Sequence, residues 1–202
     1  MIAGLPGERS PSLDVLRRQL DASLVDGLAD DALAHAEQVA TVASVLYQAF
    51  RLAGPDCVLT GGSALEGHVP GVYKSADVDV VIGGALGESL RSRVVPVFET
   101  LGFAARGRHW TRGDLFVEVP SHAVDGPTEL LHARGLPLRI MRIEALLKFR
   151  LVGFKYWETT SYAQQAIDVL AALDGDYDEP LLRSLLRAEG AEDAYDALLP
   201  LV

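Results

Sequence analysis

From Ser12 to Leu52, Leu, Val and Ala recur at three- and four-residue spacing, a period that predicts helix, with Gly27 as a break. Gly54-Pro55-Asp56 ends that stretch, and the short apolar run Cys57-Val58-Leu59-Thr60 predicts a strand. Ser63 is followed three residues on by Glu66, the pattern of a capping box, so a short helix is expected to start at Ser63. A glycine-rich loop leads to a second predicted strand, Val78 to Ile82. Helix is expected between Leu86 and Leu101, with Pro96 opposing a straight axis. Two further strands, Phe103 to Trp110 and Leu115 to Val119, are expected as a hairpin through Arg112-Gly113-Asp114.

From Ile143 the helical period returns. One segment runs to about Val152, and another opens on a second capping-box pattern, Ser161 and Gln164, and reaches Leu173. The last helices are expected around Pro180 to Leu199. The pattern as a whole is α+β, a small mixed sheet with flanking helices. It divides into a helical segment over 1–55, a core over 56–140 and a helical C-terminal part over 141–202.

Composition narrows the function classes. Of 202 residues, 49% are hydrophobic and 23% charged, which suits a folded chain rather than a disordered one. The apolar stretches fall short of the roughly 18 residues of a membrane span. The start, MIAGLPGERSPSLD, lacks the basic-then-apolar order of a signal peptide, so a cytoplasmic location is expected. Cys57 is the sole cysteine, which excludes an internal disulfide and a cysteine-rich metal site. A net charge of −10 argues against general nucleic-acid binding, which depends on neutralising phosphates with Lys and Arg. Two basic sets remain, Arg106, Arg108 and Arg112, and Arg139, Arg142, Lys148, Arg150 and Lys155; both read most simply as solvated faces.

The candidate chemistry lies in LTGGSALEGHVPGVYKSADVDVVI, residues 59–82. Aspartate is a poor strand former, yet Asp77 and Asp79 stand one residue apart in an apolar run. Residues two apart in a strand face the same way, so the two carboxylates share a face and repel unless a cation lies between them. Mg²⁺ fits, since it takes a few hard oxygens together with substrate phosphates. Upstream, Gly61-Gly62-Ser63 at a helix start offers free N–H groups, a positive dipole end and a hydroxyl, an anion site. A phosphate site beside a metal site describes a nucleoside-triphosphate (NTP) pocket. Glu118 lies on the face of its strand opposite Leu115, Val117 and Val119. If that strand pairs beside Val78 to Ile82, Glu118 completes three carboxylates, enough for two metal ions. His68, His109, His122 and His132 have no metal-ligand spacing, and Trp110, Tyr156 and Trp157 read as core or interface aromatics.

An apolar-Gly-Gly-Ser turn, a loop of about a dozen residues and Asp-Val-Asp between apolar residues resembles the signature of the DNA polymerase beta-type nucleotidyltransferases. It is most similar to the minimal nucleotidyltransferases of abortive-infection and toxin–antitoxin systems, where a basic residue and Ser or Thr precede the aspartates, as Lys74 and Ser75 do here. Ile143-Glu144-Ala145-Leu146-Leu147-Lys148-Phe149 resembles that family's downstream helix, and Gln164-Gln165-Ala166-Ile167-Asp168 resembles its Lys-Asp-x-x-Asp segment at the last position. The resemblance implies a palm-like sheet and a catalytic set of Asp77, Asp79 and Glu118. It also implies Mg²⁺ on those acids, and nucleotide contacts from Gly61, Gly62, Ser63, Lys74, Lys148 and Asp168. The implied reaction moves a nucleoside monophosphate from an NTP to a hydroxyl on a protein, a tRNA end or a small molecule such as an aminoglycoside. Gln164-Gln165 in place of Lys-Asp, and Glu118 in place of Asp, depart from the pattern. They keep open a catalytically weak nucleotide-binding protein that acts through a protein partner. A sugar-nucleotide transferase also uses Asp-x-Asp, but the Gly-Gly-Ser turn disfavours it.

Overall fold

The computed structural model describes residues 11–83, 88–107, 109–121 and 123–202. Residues 1–10, Arg108, His122 and the Leu86 start of a predicted helix lie outside them. The N-terminal helices are α1 (Leu13–Ser23) and α2 (Ala32–Ala53), separated at Gly27 as the pattern predicts. Ser12 caps α1 by accepting the Val15 N–H, and Asp31 caps α2 by accepting the Ala34 N–H at 2.9 Å. Gly54 closes α2 in the left-handed conformation, at φ +102°.

Strands β1 (Asp56–Leu59) and β2 (Val78–Gly83) pair antiparallel, with helix α3 (Gly61–His68) between them in sequence. Helix α4 (Glu88–Thr100) runs through Pro96 and leads to β3 (Ala104–Arg106), β4 (His109–Arg112) and β5 (Leu115–Glu118). The expected single strand over Phe103 to Trp110 is therefore two antiparallel strands, divided near Gly107, whose φ of +64° starts a turn. The hairpin through Gly113-Asp114 is present as expected. Its second strand pairs parallel to β2, with Val78 against Val117 and Asp79 against Glu118.

The hairpin β6 (Thr128–Ala133) and β7 (Leu136–Met141) has no counterpart in the sequence expectations. Its signal was the two-residue turn Arg134-Gly135, with φ +48° and +79°, the conformation that suits a tight β-hairpin. Arginine in the first position hides that signal. The seven strands form one mixed sheet in the order β3-β4-β5-β2-β1-β7-β6. Helices α5 (Ile143–Trp157), α6 (Thr160–Leu173), α7 (Glu179–Ala188) and α8 (Glu192–Leu198), with a final 3-10 turn, make up the C-terminal part.

Both capping-box expectations fail. The α3 N-cap is Thr60, so Ser63 falls inside the first turn, and Glu66 turns into the core rather than back to the helix start. The α6 N-cap is Thr159, and Ser161 lies within the helix. In both cases the residue pattern also fits positions one turn along a helix. The hydrophobic core sets the architecture: α2 packs across β7 and β1 on one sheet face, and α5 packs against α3, α6, α7 and α8. One hydrophobic cluster takes residues from α1 through α8, with Phe50, Phe98, Leu146 and Tyr195 almost fully enclosed. Among the described residues, no helix is long and apolar enough to cross a membrane.

Candidate active site

β2 has a dry side and a wet side. Val78, Val80 and Ile82 are buried towards α2, while Asp79 and Val81 line a cleft of about 460 Å³ on the opposite side. β5 alternates likewise, with Leu115 and Val117 buried and Glu118 half-buried, but Glu118, Asp77 and His109 lie beside that cleft rather than among its lining residues. The parallel register sets Glu118 beside Asp79, which meets the condition on which the third carboxylate depended. Asp77 stands at the bend before β2, held by the Ser75 hydroxyl, which donates to its Oδ1 at 3.4 Å.

The Gly-Gly pair has a steric reason. Gly61 has φ +63°, and a Cβ on it would overlap the Asp79 carboxylate. A Cβ on Gly62 would lie 2.5 Å from the Tyr73 ring. The glycines bring the α3 start against β2, and the Gly62 N–H donates to Asp79 Oδ2 at 3.3 Å. Ser63, expected among the phosphate contacts, is fully buried. Its hydroxyl donates to the Thr60 carbonyl at 3.0 Å and accepts the Asp79 N–H at 2.9 Å.

Negative charge is concentrated here. The Asp79 carboxyl is pushed up to about 6, first by burial, then by Asp77, with Glu118 adding to the effect. The Gly62 N–H and, more weakly, Arg150 oppose the rise. Oxygens of Asp77 and Glu118 and a ring nitrogen of His109 lie within 4.8 Å of one another, with His109 Nε2 3.6 Å from Glu118 Oε2. His109, which has no metal-ligand spacing in the sequence, thus joins the acids because β4 pairs it opposite Glu118. Two carboxylates and an imidazole around one point fit a divalent cation; the carboxylates suit Mg²⁺ or Mn²⁺, while the imidazole is a softer ligand than Mg²⁺ prefers.

The remaining expected contacts fall in several places. Lys148 lines the cleft and is paired with Asp125 at 2.8 Å and Glu189 at 3.6 Å. Lys74 is exposed and donates to the carbonyls of Ala29 and Asp30, each at 3.2 Å. Asp168 is exposed on α6, accepts from Gln164 at 2.8 Å and is not among the cleft-lining residues, whereas Gln165 is.

The basic sets expected as solvated faces are largely engaged in ion pairs: Arg112 with Asp21, Arg139 with Asp56, Arg142 with Glu144 and Lys155 with Asp193. Arg150 differs from all of them, being buried at the cleft wall near Tyr73 and Tyr162. Its sequence signal was position: α5 is buried over most of its first eleven residues, so a charge there has no solvated face to occupy. Trp110 stacks on Phe98 with centroids 4.3 Å apart, as expected of a core aromatic. Tyr156 and Trp157 are exposed, and Trp157 forms an aromatic cluster with Phe149 and Tyr162 at the rim of the cleft.

No family model and no curated protein sequence matches the chain. Two solved structures resemble it. One is an antigenic nucleotidyltransferase-like protein from Paracoccidioides brasiliensis, with a TM-score of 0.53 and 16% identity, covering 85% of this chain and 94% of that one. Another is the solution structure of the antibiotic-resistance factor ANT(2'')-Ia, with a TM-score of 0.52 and 17% identity, covering 80% of this chain and 94% of that one. The chain therefore carries a nucleotidyltransferase-like fold.

Proposed function

We propose that the cleft is the active site of a metal-dependent nucleotidyltransferase that moves a nucleoside monophosphate from an NTP to a hydroxyl acceptor. The observation that carries this reading is the in-register placement of Asp79 and Glu118 on parallel strands, with Asp77 adjacent and Gly61-Gly62 closing on the same carboxylate. Such a set is costly without a cation, and the fold brings an anion-binding helix start to its edge.

Asp77, Asp79, Glu118 and His109 would hold Mg²⁺, in one or two ions. When bound, the metal neutralises phosphate charge and lowers the pKa of a coordinated hydroxyl. The Gly62 N–H, which here donates to Asp79 Oδ2 at 3.3 Å, lies at the helix start where the triphosphate would bind. The acceptor oxygen attacks the α-phosphorus, the bond to the bridging oxygen of the β-phosphate breaks, and pyrophosphate leaves with that electron pair. The acceptor's proton passes to water. Positioning and electrostatics carry most of the rate, so Asp77→Asn or Asp79→Asn is expected to lower turnover by roughly 10³-fold or more.

The net charge of −10 favours a protein side chain or a cationic small molecule over a tRNA end as acceptor. A role as the nucleotidylating member of a toxin–antitoxin or abortive-infection pair is consistent with a protein acceptor. The experiment is release of pyrophosphate from each of the four NTPs with Mg²⁺, with these acceptor classes supplied in turn. Turnover lost in Asp77→Asn supports the reading. NTP binding without turnover on any acceptor would favour instead a nucleotide-binding protein acting through a partner, to which the Gln164-Gln165 departure points.

A further inference from the structure

Arg150 is a buried cation with no ion-pair partner among the described residues; the Asp79 carboxylate acts on it only from beyond ion-pair distance. Arg150 is 6% exposed, on α5, and lines the same cleft as Gly62, Tyr73 and Asp79. A guanidinium carries five N–H donors and stays protonated in proteins. Here it has two long contacts, Nε to the Gln165 Oε1 at 3.4 Å and Nη1 to the Leu146 carbonyl at 3.5 Å. Both lie beyond the usual 2.7–3.2 Å range for such bonds. Among the described residues no carboxylate pairs with it, whereas Lys148, two residues earlier on the same helix, already has Asp125 and Glu189. The Phe149 ring, 5.7 Å away, offers a cation–π contact but no hydrogen-bond acceptor. Burying a charge this way is expensive unless something supplies its partner.

We infer that Arg150 is the phosphate-binding residue of the cleft, and that its missing partner is an oxyanion of the ligand's polyphosphate chain. This rests on the nucleotide reading of the cleft and adds to it. The planar fork of a guanidinium meets phosphate through two parallel hydrogen bonds, a geometry that an ammonium such as Lys148 lacks. Arg150 and the Gly62 N–H border one cleft, so a polyphosphate reaching both would be clamped between a helix start and a buried cation. Lys148 already has its charge met, so its removal is expected to matter less for anion affinity.

The test compares Arg150→Met, Arg150→Lys and Lys148→Met with wild type by two measurements. One is the thermal midpoint without ligand; the other is calorimetric affinity for inorganic tripolyphosphate and for Mg²⁺-ATP. The expected result is an Arg150→Met protein at least as stable as wild type without ligand, because an unpaired buried charge has gone. Its tripolyphosphate affinity should fall tenfold or more, with part of the loss restored in Arg150→Lys and a smaller change in Lys148→Met. An affinity within twofold of wild type in Arg150→Met overturns the inference while leaving the nucleotidyltransferase reading intact. So does a ligand-free midpoint that drops sharply in Arg150→Met while Arg150→Lys binds normally, since that marks a structural arginine. Tripolyphosphate binding that depends on Arg150, in a protein that turns over no NTP, would keep the inference and sink the transfer reading. A wild type that binds neither anion overturns both.

Discussion

The backbone N–H of Asp79 donates to the hydroxyl of Ser63 at 2.9 Å, and that hydroxyl in turn donates to the Thr60 carbonyl at 3.0 Å. One buried side chain thus ties the start of α3 to the strand that carries the acidic pair, and fixes the distance between the anion site and the carboxylates.

Ser63→Ala should therefore act through position. The Thr60 carbonyl still accepts the Ala64 N–H, but the Asp79 N–H is left without an acceptor in a dry place. A loss of about 1–3 kcal/mol in denaturant unfolding is expected. Metal affinity should fall with it, because Asp79 is no longer held in register. Unchanged stability and unchanged metal affinity together would count against the tie.

Behind the site, Glu66 is fully buried between His35, whose Nδ1 lies 2.5 Å from its Oε1, and the Ser75 N–H, which donates to its Oε2 at 3.0 Å. This joins α2, α3 and the segment leading into Asp77. Breaking a buried pair from one side leaves the other group uncompensated, so Glu66→Ala should cost about 3–5 kcal/mol. A gentler change, Glu66→Gln, keeps the shape and an acceptor for Ser75. It should leave a folded protein whose Mg²⁺ titration is weaker than that of wild type. Wild-type metal affinity in that variant would show that the network supports the fold alone.

The raised Asp79 carboxyl gives stability a pH dependence whose sign can be worked out. In the folded protein it titrates at about 6, against roughly 3.9 when unfolded, so between these values the native state holds the extra proton. Its contribution to stability is complete below the unfolded value and is lost as pH rises through about 6. In metal-free buffer Asp79→Asn, which keeps an acceptor for the Gly62 N–H, should be more stable than wild type at pH 7.5 by about 1–2 kcal/mol, reduced from the full shift for partial solvent screening. The difference should vanish near pH 4. Added Mg²⁺ should narrow the gap at pH 7.5 by stabilising wild type. Parallel pH–stability curves for the two proteins would rule the charge explanation out.

The sequence by itself determined the parts of the site that are local. A helix start beside two adjacent glycines and an Asp-x-Asp run at a strand entry are written in conformational preference and period, although the helix opens at Gly61 rather than Ser63 and Asp77 stands just before the strand. The helical ends of the chain followed from the same spacing. Tertiary structure alone decided the rest, because strand pairing and burial join residues far apart in the chain. Glu118 reaches Asp79 only through the parallel β2–β5 register, and His109 reaches Glu118 only because β4 pairs beside β5. Ser63 and Glu66 matched a local capping pattern, but the core gave both side chains stronger partners across the fold. The same long-range packing decided which cation was left unpaired. Arg150 and Lys148 are two residues apart on one helix, yet Asp125 and Glu189 reach only the lysine.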